Sequence, residues 1–423
     1  MIESARTWWL LRELRAGSRR SPRSTATMQL RLLRSTLEHA HRRVPFYGRV
    51  WGEAGFDPES VRSLEDVERI PIINAPMVLE AIERGEMVDR HLDVSQIPAY
   101  PSSGVSDVPV QIPRPPREQR LWRAGSLRIW FEHGYRWHQA TAALDATRAP
   151  SHPLQRAGIS RTTWIHTSWP VPEQVDSFAG ARADVVMATP TVFRRLCRGI
   201  ESSGAVFKTP RIVFSEGEVL DTGTREMIRS TLGADPIELY GLTEACFVAW
   251  QCERREGMHL STDLCLVEVR RNGRKAEPGE LGALVLTDLR GRAMPLIRYD
   301  TGDLGVAGPA ECACGRSFPT IASMEGRARG AVTLEDREVL TTRAIVDNLF
   351  RALPPDRYRL HQESPDRFQI RVAAAGETEA SLRQRLRGML DGAEIEDGGE
   401  LEIGPDLPRK SNPVSSDVSC ELA

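Results

Sequence analysis

Two stretches decide the fold: Ile237-Glu-Leu-Tyr-Gly-Leu-Thr-Glu244 and Ala293-Met-Pro-Leu-Ile-Arg-Tyr-Asp-Thr-Gly-Asp303. The first has the pattern of a short buried strand, and it ends in a hydroxyl and a carboxylate, Thr243 and Glu244. Gly241 is predicted to let the chain turn closely behind this strand. Because open α/β sheets bind ligands at the carboxyl ends of their strands, the pattern predicts a ligand site here.

The second stretch carries two more carboxylates in a predicted tight turn, Asp300-Thr-Gly-Asp303, after the apolar run Met294-Pro-Leu-Ile297. An aspartate such as Asp303 is able to accept hydrogen bonds from two vicinal hydroxyls, as a ribose requires. The alternative is an ordinary Asx turn, since Asp and Gly are common turn residues. Taken alone, this stretch does not separate a ribose site from a structural turn.

Four soft ligands overlap the same region. Cys312 and Cys314 lie one residue apart in a segment rich in Gly and Ala, and Cys252 and His259 flank a polar run. Three thiolates and one imidazole complete a tetrahedral structural zinc site with no open position. The alternative is that Cys312 and Cys314 are small turn residues and that Cys252 is a buried apolar side chain.

Composition restricts the class of protein. A chain of 423 residues predicts one large domain and a small one. The net charge of −2 argues against nucleic acid or an acidic membrane as a partner. Seven cysteines without a regular framework predict a reducing cytoplasm, and no apolar run is long enough to predict a membrane span. Lysine occurs only at Lys208, Lys275 and Lys410.

Hydrophobic periodicity predicts helices early in the chain and again near its end, with short strands between them. The predicted helices are Ile2–Arg15, Thr27–Arg43, Arg120–Phe131, Thr191–Ile200, Thr342–Leu353 and Glu377–Leu390. The predicted strands lie at 183–188, 211–215, 236–240, 367–372 and 400–403. Because strands alternate with helices, the middle of the chain is predicted to be a largely parallel, layered α/β body.

Several motifs then occur in one order: Tyr240-Gly-Leu-Thr-Glu244, Cys252, Gly257-Met-His259, Gly279-Glu-Leu-Gly282, Met294 to Asp303, Cys312-Ala-Cys-Gly-Arg316 and Gly326-Arg327. This order resembles the branch of the adenylate-forming superfamily that holds phenylacetate:CoA ligases, coenzyme F390 synthetases and capsule-associated homologues. The resemblance implies an α/β fold with a large layered N-terminal adenylate-forming domain, residues 1–325, and a small mobile α+β C-terminal lid, residues 326–423. It also implies that Cys252, His259, Cys312 and Cys314 bind structural zinc.

The same resemblance implies a function: ATP-dependent activation of a carboxylic acid as an acyl-adenylate, with transfer to CoA or an amine acceptor. Thr243 and Glu244 would then meet Mg²⁺ and phosphate. Roles near the nucleotide would fall on Glu218 and Tyr240 beside adenine, Asp303 on the ribose, and Arg316 or Arg327 near the ribose or hinge. Glu218 is equally well explained as a helix-start carboxylate.

A catalytic lysine in relatives comes from the C-terminal domain. Lys410 lies in Leu407-Pro-Arg-Lys-Ser-Asn-Pro413, a few residues before the position that a family-like ending would use. The role therefore falls on Lys410 or is vacant.

The segment Pro101-Ser-Ser-Gly-Val-Ser-Asp-Val-Pro109 corresponds to the loop with which relatives hold the triphosphate. The loop residues that match are Ser102, Ser103, Gly104 and Ser106. Those that depart are Val105 for a hydroxyl, Asp107 for a glycine and Val108 for a lysine. At about 4 Å, a second negative charge repels by roughly 4 kcal/mol before screening, so Asp107 predicts weak ATP binding.

Arg114 and Arg117 follow this loop and are candidates for the missing cation, although a solvent-facing basic loop is the simpler interpretation. The departures also support a second hypothesis. In it, the protein is a diverged homologue that no longer makes adenylates and acts as an acyl hydrolase or transferase, or as a non-catalytic partner in a biosynthetic pathway. The sequence has no Gly-x-Ser-x-Gly elbow. The sequence does not identify the substrate acid, and it does not decide whether the protein forms a homodimer.

Overall fold

The computed structural model describes residues 2–101, 110–146, 155, 158–373, 377–390, 392–401, 412–420 and 422. The chain divides into two compact units, the first made of Met1–His133, Tyr240–Ser323 and Leu422–Ala423, and the second of Gly134–Leu239 and Met324–Glu421. The boundary expected between residues 325 and 326 stays a prediction.

The first unit begins with helices Ile2–Gly17, Pro22–Arg43, Pro45–Glu53, Ala75–Glu83 and Pro116–Glu132. Ser21 starts the second of these, since its hydroxyl accepts a hydrogen bond from the Ser24 amide, and Pro22 occupies a position that needs no donor. That helix ends at Val44, which is extended because a proline follows it. The predicted helices Ile2–Arg15, Thr27–Arg43 and Arg120–Phe131 are confirmed, each within slightly longer bounds.

Tyr47 connects the helical part of this unit to the segment Met294–Ile297. The Tyr47 hydroxyl donates to the Pro295 carbonyl at 2.8 Å and accepts from the Ile297 amide at 2.9 Å. The ring is fully buried beside Trp51. Both hydrogen bonds of the hydroxyl are thus satisfied inside the core, and they fix the entry to the second decisive stretch.

The strands of the first unit are mainly antiparallel. Cys265–Arg271 pairs with Leu281–Asp288, which pairs with Tyr299–Ala307. A second set, Cys246–Gln251, Met258–Leu260 and the beginning of Thr320–Arg327, pairs in that order. Short pairs Ala99–Pro101 with Gln111–Pro113 and Cys265–Arg271 with Arg274–Lys275 complete the described strands of this unit.

The predicted tight turn at Asp300–Asp303 is wrong, because these residues lie inside the strand Tyr299–Ala307. Pairing with the neighbouring strand continues on both sides, and a register shift between Ala283 and Val285 marks a β-bulge. Gly302 has φ +69°, and its amide donates to Asp300 Oδ1 at 2.9 Å. The local Asx hydrogen bond exists, but it bends a paired strand instead of ending one.

Gly241 also differs from its predicted role. It lies within the strand Ile237–Leu242, and the turn comes after it. A Cβ at this position would be 3.0 Å from Phe247 Cδ1 and 3.3 Å from the Cys246 carbonyl oxygen. The glycine is therefore needed for close packing against the next strand.

The second unit contains five parallel strands, and they confirm the predicted parallel layered body. Their spatial order is Thr162–His166, Thr141–Asp145, Val185–Ala188, Ile212–Glu216 and Ile237–Leu242. The helices of this part are Val171–Ala181, Pro190–Ser203 and Thr222–Leu232. The strands Thr162–His166, Val185–Ala188 and Ile212–Glu216 are each followed by one of these helices, which gives the alternation of a layered α/β body.

The C-terminal part of the second unit has its own four-stranded sheet, in the order Glu394–Glu400, Arg367–Val372, Tyr358–Ser364 and Val414–Ser416. Helices Thr342–Leu349 and Glu377–Met389 accompany it. Two expectations need correction. The first helix ends at Leu349, four residues early. The observed strand is Glu394–Glu400, and residues 402 and 403 of the predicted strand 400–403 lie outside the described residues.

Buried ion pairs hold this C-terminal part against the parallel strands and helices of the same unit. Arg194 Nε donates to Asp356 Oδ1 at 3.0 Å, and Arg343 Nη2 donates to Glu238 Oε1 at 2.8 Å. All four side chains are buried or nearly so. In the described residues, no helix combines the length and apolar character needed to cross a membrane.

Candidate functional site

Cys252, His259, Cys312 and Cys314 converge on one point, as the sequence predicts. Each offers one ligand atom, and these atoms all lie within 4.8 Å of one another. The Sγ atoms of Cys252 and Cys312 are 3.8 Å apart. A tetrahedron with Zn–S bonds of about 2.3 Å has an edge of about 3.8 Å, so this separation suits zinc.

His259 is oriented for metal binding by its backbone surroundings. Its Nδ1 lies 2.8 Å from the Phe318 carbonyl oxygen, and its Nε2 lies 3.1 Å from Cys314 Sγ. Burial lowers the pKa of His259, which favours the neutral ring. In a neutral ring whose Nδ1 donates to a carbonyl, Nε2 keeps its lone pair for a metal.

The thiols lie in different electrostatic surroundings. Burial raises the pKa of Cys252 to about 12, and the neighbouring Cys312 and Cys314 sulfurs act in the same direction. Burial also acts to raise the pKa of Cys314, but hydrogen bonds from Arg316 outweigh it and lower that pKa. A bound divalent cation would lower the pKa of each ligating thiol, since it stabilises the thiolate.

Arg316 belongs to the surroundings of this cluster, and a role for it near the ribose or hinge stays a prediction. Its Nη2 donates to Glu132 Oε2 at 2.9 Å, and its Nη1 donates to Glu253 Oε2 at 2.8 Å. The guanidinium carbon is 5.2 Å from the centre of the Trp250 ring. Because Arg316 is buried and paired with two carboxylates, it is a support for the cysteine cluster.

Tyr240 and Asp303 come from the two decisive stretches and meet in the first unit. The Tyr240 hydroxyl donates to Asp303 Oδ2 at 2.7 Å. Both residues are buried, with 9% and 6% of their surface exposed. The Asp303 amide donates to the Thr301 hydroxyl at 3.1 Å, and that hydroxyl donates to the Leu284 carbonyl. The bulged strand therefore holds the carboxylate at a defined position.

Thr243 and Glu244 lie in a turn that follows the strand Ile237–Leu242, which confirms their predicted placement. The Ala245 amide donates to the Leu242 carbonyl at 3.1 Å and closes the turn. Arg114 Nη2 donates to the Thr243 carbonyl. Arg114 is only 4% exposed, so the interpretation of its segment as a solvent-facing loop is wrong for this residue.

Glu218 has the helix-start role that the sequence left open. Its Oε2 accepts from the Thr191 amide at 2.9 Å and from the Thr191 hydroxyl at 2.8 Å. Thr191 is in the first turn of the helix Pro190–Ser203. The carboxylate thus satisfies a backbone donor at the positive end of that helix.

No family model matches the chain. A phenylacetate-coenzyme A ligase of Thermus thermophilus is 27% identical over 346 residues, which are 77% of this chain and 75% of that enzyme. Phenylacetate-coenzyme A ligases of Pseudomonas putida and Escherichia coli are 27% and 25% identical over about two thirds of each chain. These relatives support the predicted resemblance to the phenylacetate-CoA ligase-like branch of the adenylate-forming superfamily.

Solved structures agree with this family at the level of the fold. A 2-hydroxyisobutyryl-CoA ligase in complex with its acyl-AMP matches with a TM-score of 0.75 over 95% of this chain and 91% of that one, at 21% identity. An anthranilate CoA ligase with anthranoyl-AMP matches with a TM-score of 0.54 over 74% of this chain and 64% of that one, at 14% identity.

Part of the predicted family site lies outside the described residues. This applies to Ser102, Ser103, Gly104, Ser106 and Lys410, and to the departures at Val105, Asp107 and Val108. Arg327 is described, and it ends the strand Thr320–Arg327 in the second unit.

Two residues that support the cysteine cluster carry no sequence signal that would have singled them out. Glu132 is 184 positions from Arg316 and Phe318 is 59 positions from His259, and folding brings each pair into contact. Arg114, in contrast, was a sequence candidate for the missing cation, and only its exposure was predicted wrongly. Its position five residues after the atypical loop was the one available hint.

Proposed function

We propose that the protein activates a carboxylic acid with ATP, forms an acyl-adenylate and passes the acyl group to CoA or an amine. The observation that carries this proposal is the buried Tyr240–Asp303 hydrogen bond. It brings together the Tyr-Gly-Leu-Thr-Glu and Thr-Gly-Asp motifs of the family, and it orients a carboxylate as a ribose diol requires. The family relationship supports the same chemistry.

In the proposed reaction, a carboxylate oxygen of the acid attacks the α-phosphorus of ATP. The bond between that phosphorus and its bridging oxygen breaks, and pyrophosphate leaves. The thiolate of CoA, or an amine, then attacks the acyl carbon and displaces AMP. Developing negative charge on the phosphate needs nearby cations and donors, because such preorganised groups stabilise a transition state without reorganisation.

Thr243 and Glu244 would serve this step from the turn at the strand end, Thr243 by its hydroxyl to phosphate and Glu244 by Mg²⁺ coordination. Asp303 would accept the ribose hydroxyls. Lys410 would supply the cation at the reacting carboxylate, if the C-terminal part presents it. Thr243, Glu244 and Asp303 lie in the part of the chain that the structure describes, and Lys410 lies outside it.

We also propose that Cys252, His259, Cys312 and Cys314 hold a structural zinc ion. The donor set, the 3.8 Å separation of two sulfurs and the orientation of His259 fit zinc. Zinc with three thiolates and a neutral imidazole carries a net charge of about −1, and the hydrogen bonds from Arg316 to Cys314 would stabilise the thiolate there. The ion would tie the segment at Cys252 to the one at Cys312, and four protein ligands leave it no position for substrate.

Pyrophosphate exchange into ATP tests adenylation directly. The zinc-loaded protein is incubated with labelled pyrophosphate, ATP, Mg²⁺ and a panel of aromatic and aliphatic acids. We expect exchange with some of the acids and at least a 100-fold loss in Asp303→Ala, because both the hydrogen bond and the ribose contact disappear. Asp300→Ala, a carboxylate in the same bulge, is the matched control and should retain most of the activity.

Two results would contradict the proposal. The first is the absence of exchange with every acid, combined with the absence of ATP binding in calorimetry. The second is equal activity of Asp303→Ala and the native protein, which would remove the nucleotide site from this part of the fold. Either result would favour the diverged homologue that acts without ATP.

A further inference from the structure

A small cavity in the first unit lies beside the turn that carries Glu244 and Ala245. Its volume is about 50 Å³. Its apolar lining includes Ile112, Pro113, Leu121, Trp122, Leu264 and Met294. The cavity combines apolar side chains with a few polar groups, as sites for small organic ligands do. The volume suits a short organic tail and is too small for a nucleoside triphosphate.

Arg114 lines this cavity and is held rigidly at one wall. Its Nη2 donates to the Thr243 carbonyl, and its guanidinium carbon lies 4.7 Å from the centre of the Trp122 ring and 5.4 Å from that of Tyr100. Two aromatic faces and one carbonyl therefore fix the guanidinium. A side chain held in this way loses little conformational entropy when it binds a ligand.

One donor of this guanidinium has no acceptor. Arg114 Nη1 is buried, and no hydrogen-bond partner for it occurs among the residues that the structure describes. An unpaired buried donor is costly, and the cost is greater for a charged group. An oxygen of a ligand in the cavity would satisfy it, and an anionic oxygen would do so best.

Besides Arg114 and Glu244, which lies in the turn proposed to bind Mg²⁺, the charged groups that line the cavity are engaged with the backbone. Glu118 Oε1 accepts from the Arg292 amide at 2.8 Å. Asp288 Oδ1 accepts from the Gly291 amide at 2.9 Å. Arg290 Nε donates to the Asp263 carbonyl at 3.0 Å. Arg114 is thus the cavity residue with an identified donor left over for a ligand.

We propose that this cavity receives the distal end of the substrate acid, and that Arg114 Nη1 binds a second carboxylate there. The substrate class is a short dicarboxylic acid, whose reacting carboxylate faces the Thr243–Glu244 turn while the other pairs with Arg114. This inference rests on the proposed function for the reacting end, whereas the binding of the distal carboxylate does not depend on it. Arg114 is a specificity residue in this scheme.

The length of the acid follows from the position of Arg114. The same guanidinium that would bind the distal carboxylate also holds the Thr243 carbonyl, so the two ends of the acid are only a few bonds apart. Succinate and glutarate have the right separation. Their matched analogues are succinamate, which keeps the shape and loses the charge, and pentanoate, which replaces the carboxylate with an alkyl end.

Steady-state exchange kinetics with these four acids test the specificity. In the native protein we expect kcat/KM for succinate or glutarate to exceed that for pentanoate by about 10- to 100-fold, the range for a hydrogen bond to a charged group. Arg114→Met should lower kcat/KM for the dicarboxylates by a similar factor and leave pentanoate nearly unchanged. Arg123→Met, an exposed arginine on the same helix as Trp122, is the matched control and should change neither.

The ratio of dicarboxylate to monocarboxylate is the decisive readout, because general damage to the Thr243 turn would lower both rates together. Arg114→Lys adds a second check. It keeps the charge but loses the fork, and an intermediate ratio is expected. An unchanged ratio in Arg114→Met, or a native preference for pentanoate or succinamate, would overturn the assignment.

Calorimetry without ATP separates this inference from the proposed function. We expect succinate or glutarate to bind the native protein and to bind Arg114→Met at least 10-fold more weakly. If no acid supports exchange but this binding pattern holds, adenylation fails and the cavity assignment stands. If exchange occurs with monocarboxylic acids and no dicarboxylate binds, the cavity holds only water and the assignment is wrong.

Discussion

The Tyr240 hydroxyl lies 2.7 Å from Asp303 Oδ2 and donates a hydrogen bond to it. The two residues are 63 positions apart in the chain, yet each stands in a motif that belongs to the same proposed nucleotide site. A buried tyrosine donor restricts a carboxylate to one orientation. The Asp303 carboxylate therefore has this orientation before a ligand binds.

Removing this hydrogen bond should weaken nucleotide binding selectively. In Tyr240→Phe we expect KM for ATP to rise about 10-fold, since a hydrogen bond to a charged group contributes about 1.5–3 kcal/mol. KM for the acid should change less than twofold. Tyr358→Phe is the control, because the Tyr358 hydroxyl is buried without a partner in the described residues. Equal effects on the two KM values would argue that Tyr240 acts only through folding.

The cysteine cluster predicts a metal-dependent stability. Purified native protein should contain about one zinc per chain, and Cys312→Ser should contain far less, because three ligands bind zinc more weakly than four. A fall of several degrees in Tm should accompany the loss, and chelation of the native protein should reproduce it. Cys420→Ser is the matched control, since Cys420 lies outside the cluster. Native protein without zinc would contradict the assignment.

Glu118 predicts a specific pH dependence of stability. Burial raises the pKa of Glu118, although the Ala293 and Arg292 amides that bind it act in the opposite direction. A group whose pKa is higher in the folded state stabilises it below the unfolded pKa, near 4.5, and that stability is lost as pH rises through the folded pKa. Glu118→Gln keeps an acceptor for the amides and should abolish this decline.

Urea unfolding at several pH values from 4 to 8 measures the effect of Glu118→Gln. The free energy of unfolding of the variant should exceed that of the native protein at neutral pH, and the difference should shrink towards pH 4. Glu280→Gln is the control, and its pH dependence should run in the opposite direction. Hydrogen bonds from Arg274 lower the pKa of Glu280 to about 2, so the ionised form of Glu280 stabilises the native protein at neutral pH. A difference that does not vary with pH would show that Glu118 acts by packing alone.

Gly223 predicts how tightly the C-terminal part packs within the second unit. A Cβ on Gly223 would be 2.0 Å from the Phe350 ring, so Gly223→Ala must displace that ring. We expect a loss of about 1–3 kcal/mol in unfolding free energy, as for other overpacked sites. Gly388→Ala, in a helix with nothing within 4 Å of its Cβ, should instead gain up to about 1 kcal/mol. Faster proteolysis of Gly223→Ala near Phe350 would localise the effect.

Local patterns were sufficient for the elements whose period is regular. The helix Pro22–Arg43 and the parallel strands at 185–188 and 212–216 are found where the sequence predicts them, because apolar periodicity and caps act over a few residues. The convergence of Cys252 with Cys312 was also predictable, since soft ligands in two short clusters have few other uses.

Other features depended on partners far away in the chain. Asp300–Asp303 has the composition of a turn. The residues before and after it both pair with the strand Leu281–Asp288, so the segment stays in a strand and forms only a β-bulge. Similarly, Arg316 sits beside a family motif, and only its contacts with Glu132 and Glu253 assign it to the cysteine cluster.

The sequence by itself determined the resemblance to acid–CoA ligases, the order of the motifs that carry it and the four candidate metal ligands, because these depend on residue type and spacing along the chain. The tertiary structure alone decided that Tyr240 donates to Asp303, that Glu218 caps the helix Pro190–Ser203 and that Arg114 is buried with a donor unpaired in the described part of the chain. Burial and hydrogen-bond partners are set by which distant segments pack together, and no short stretch of sequence contains that information.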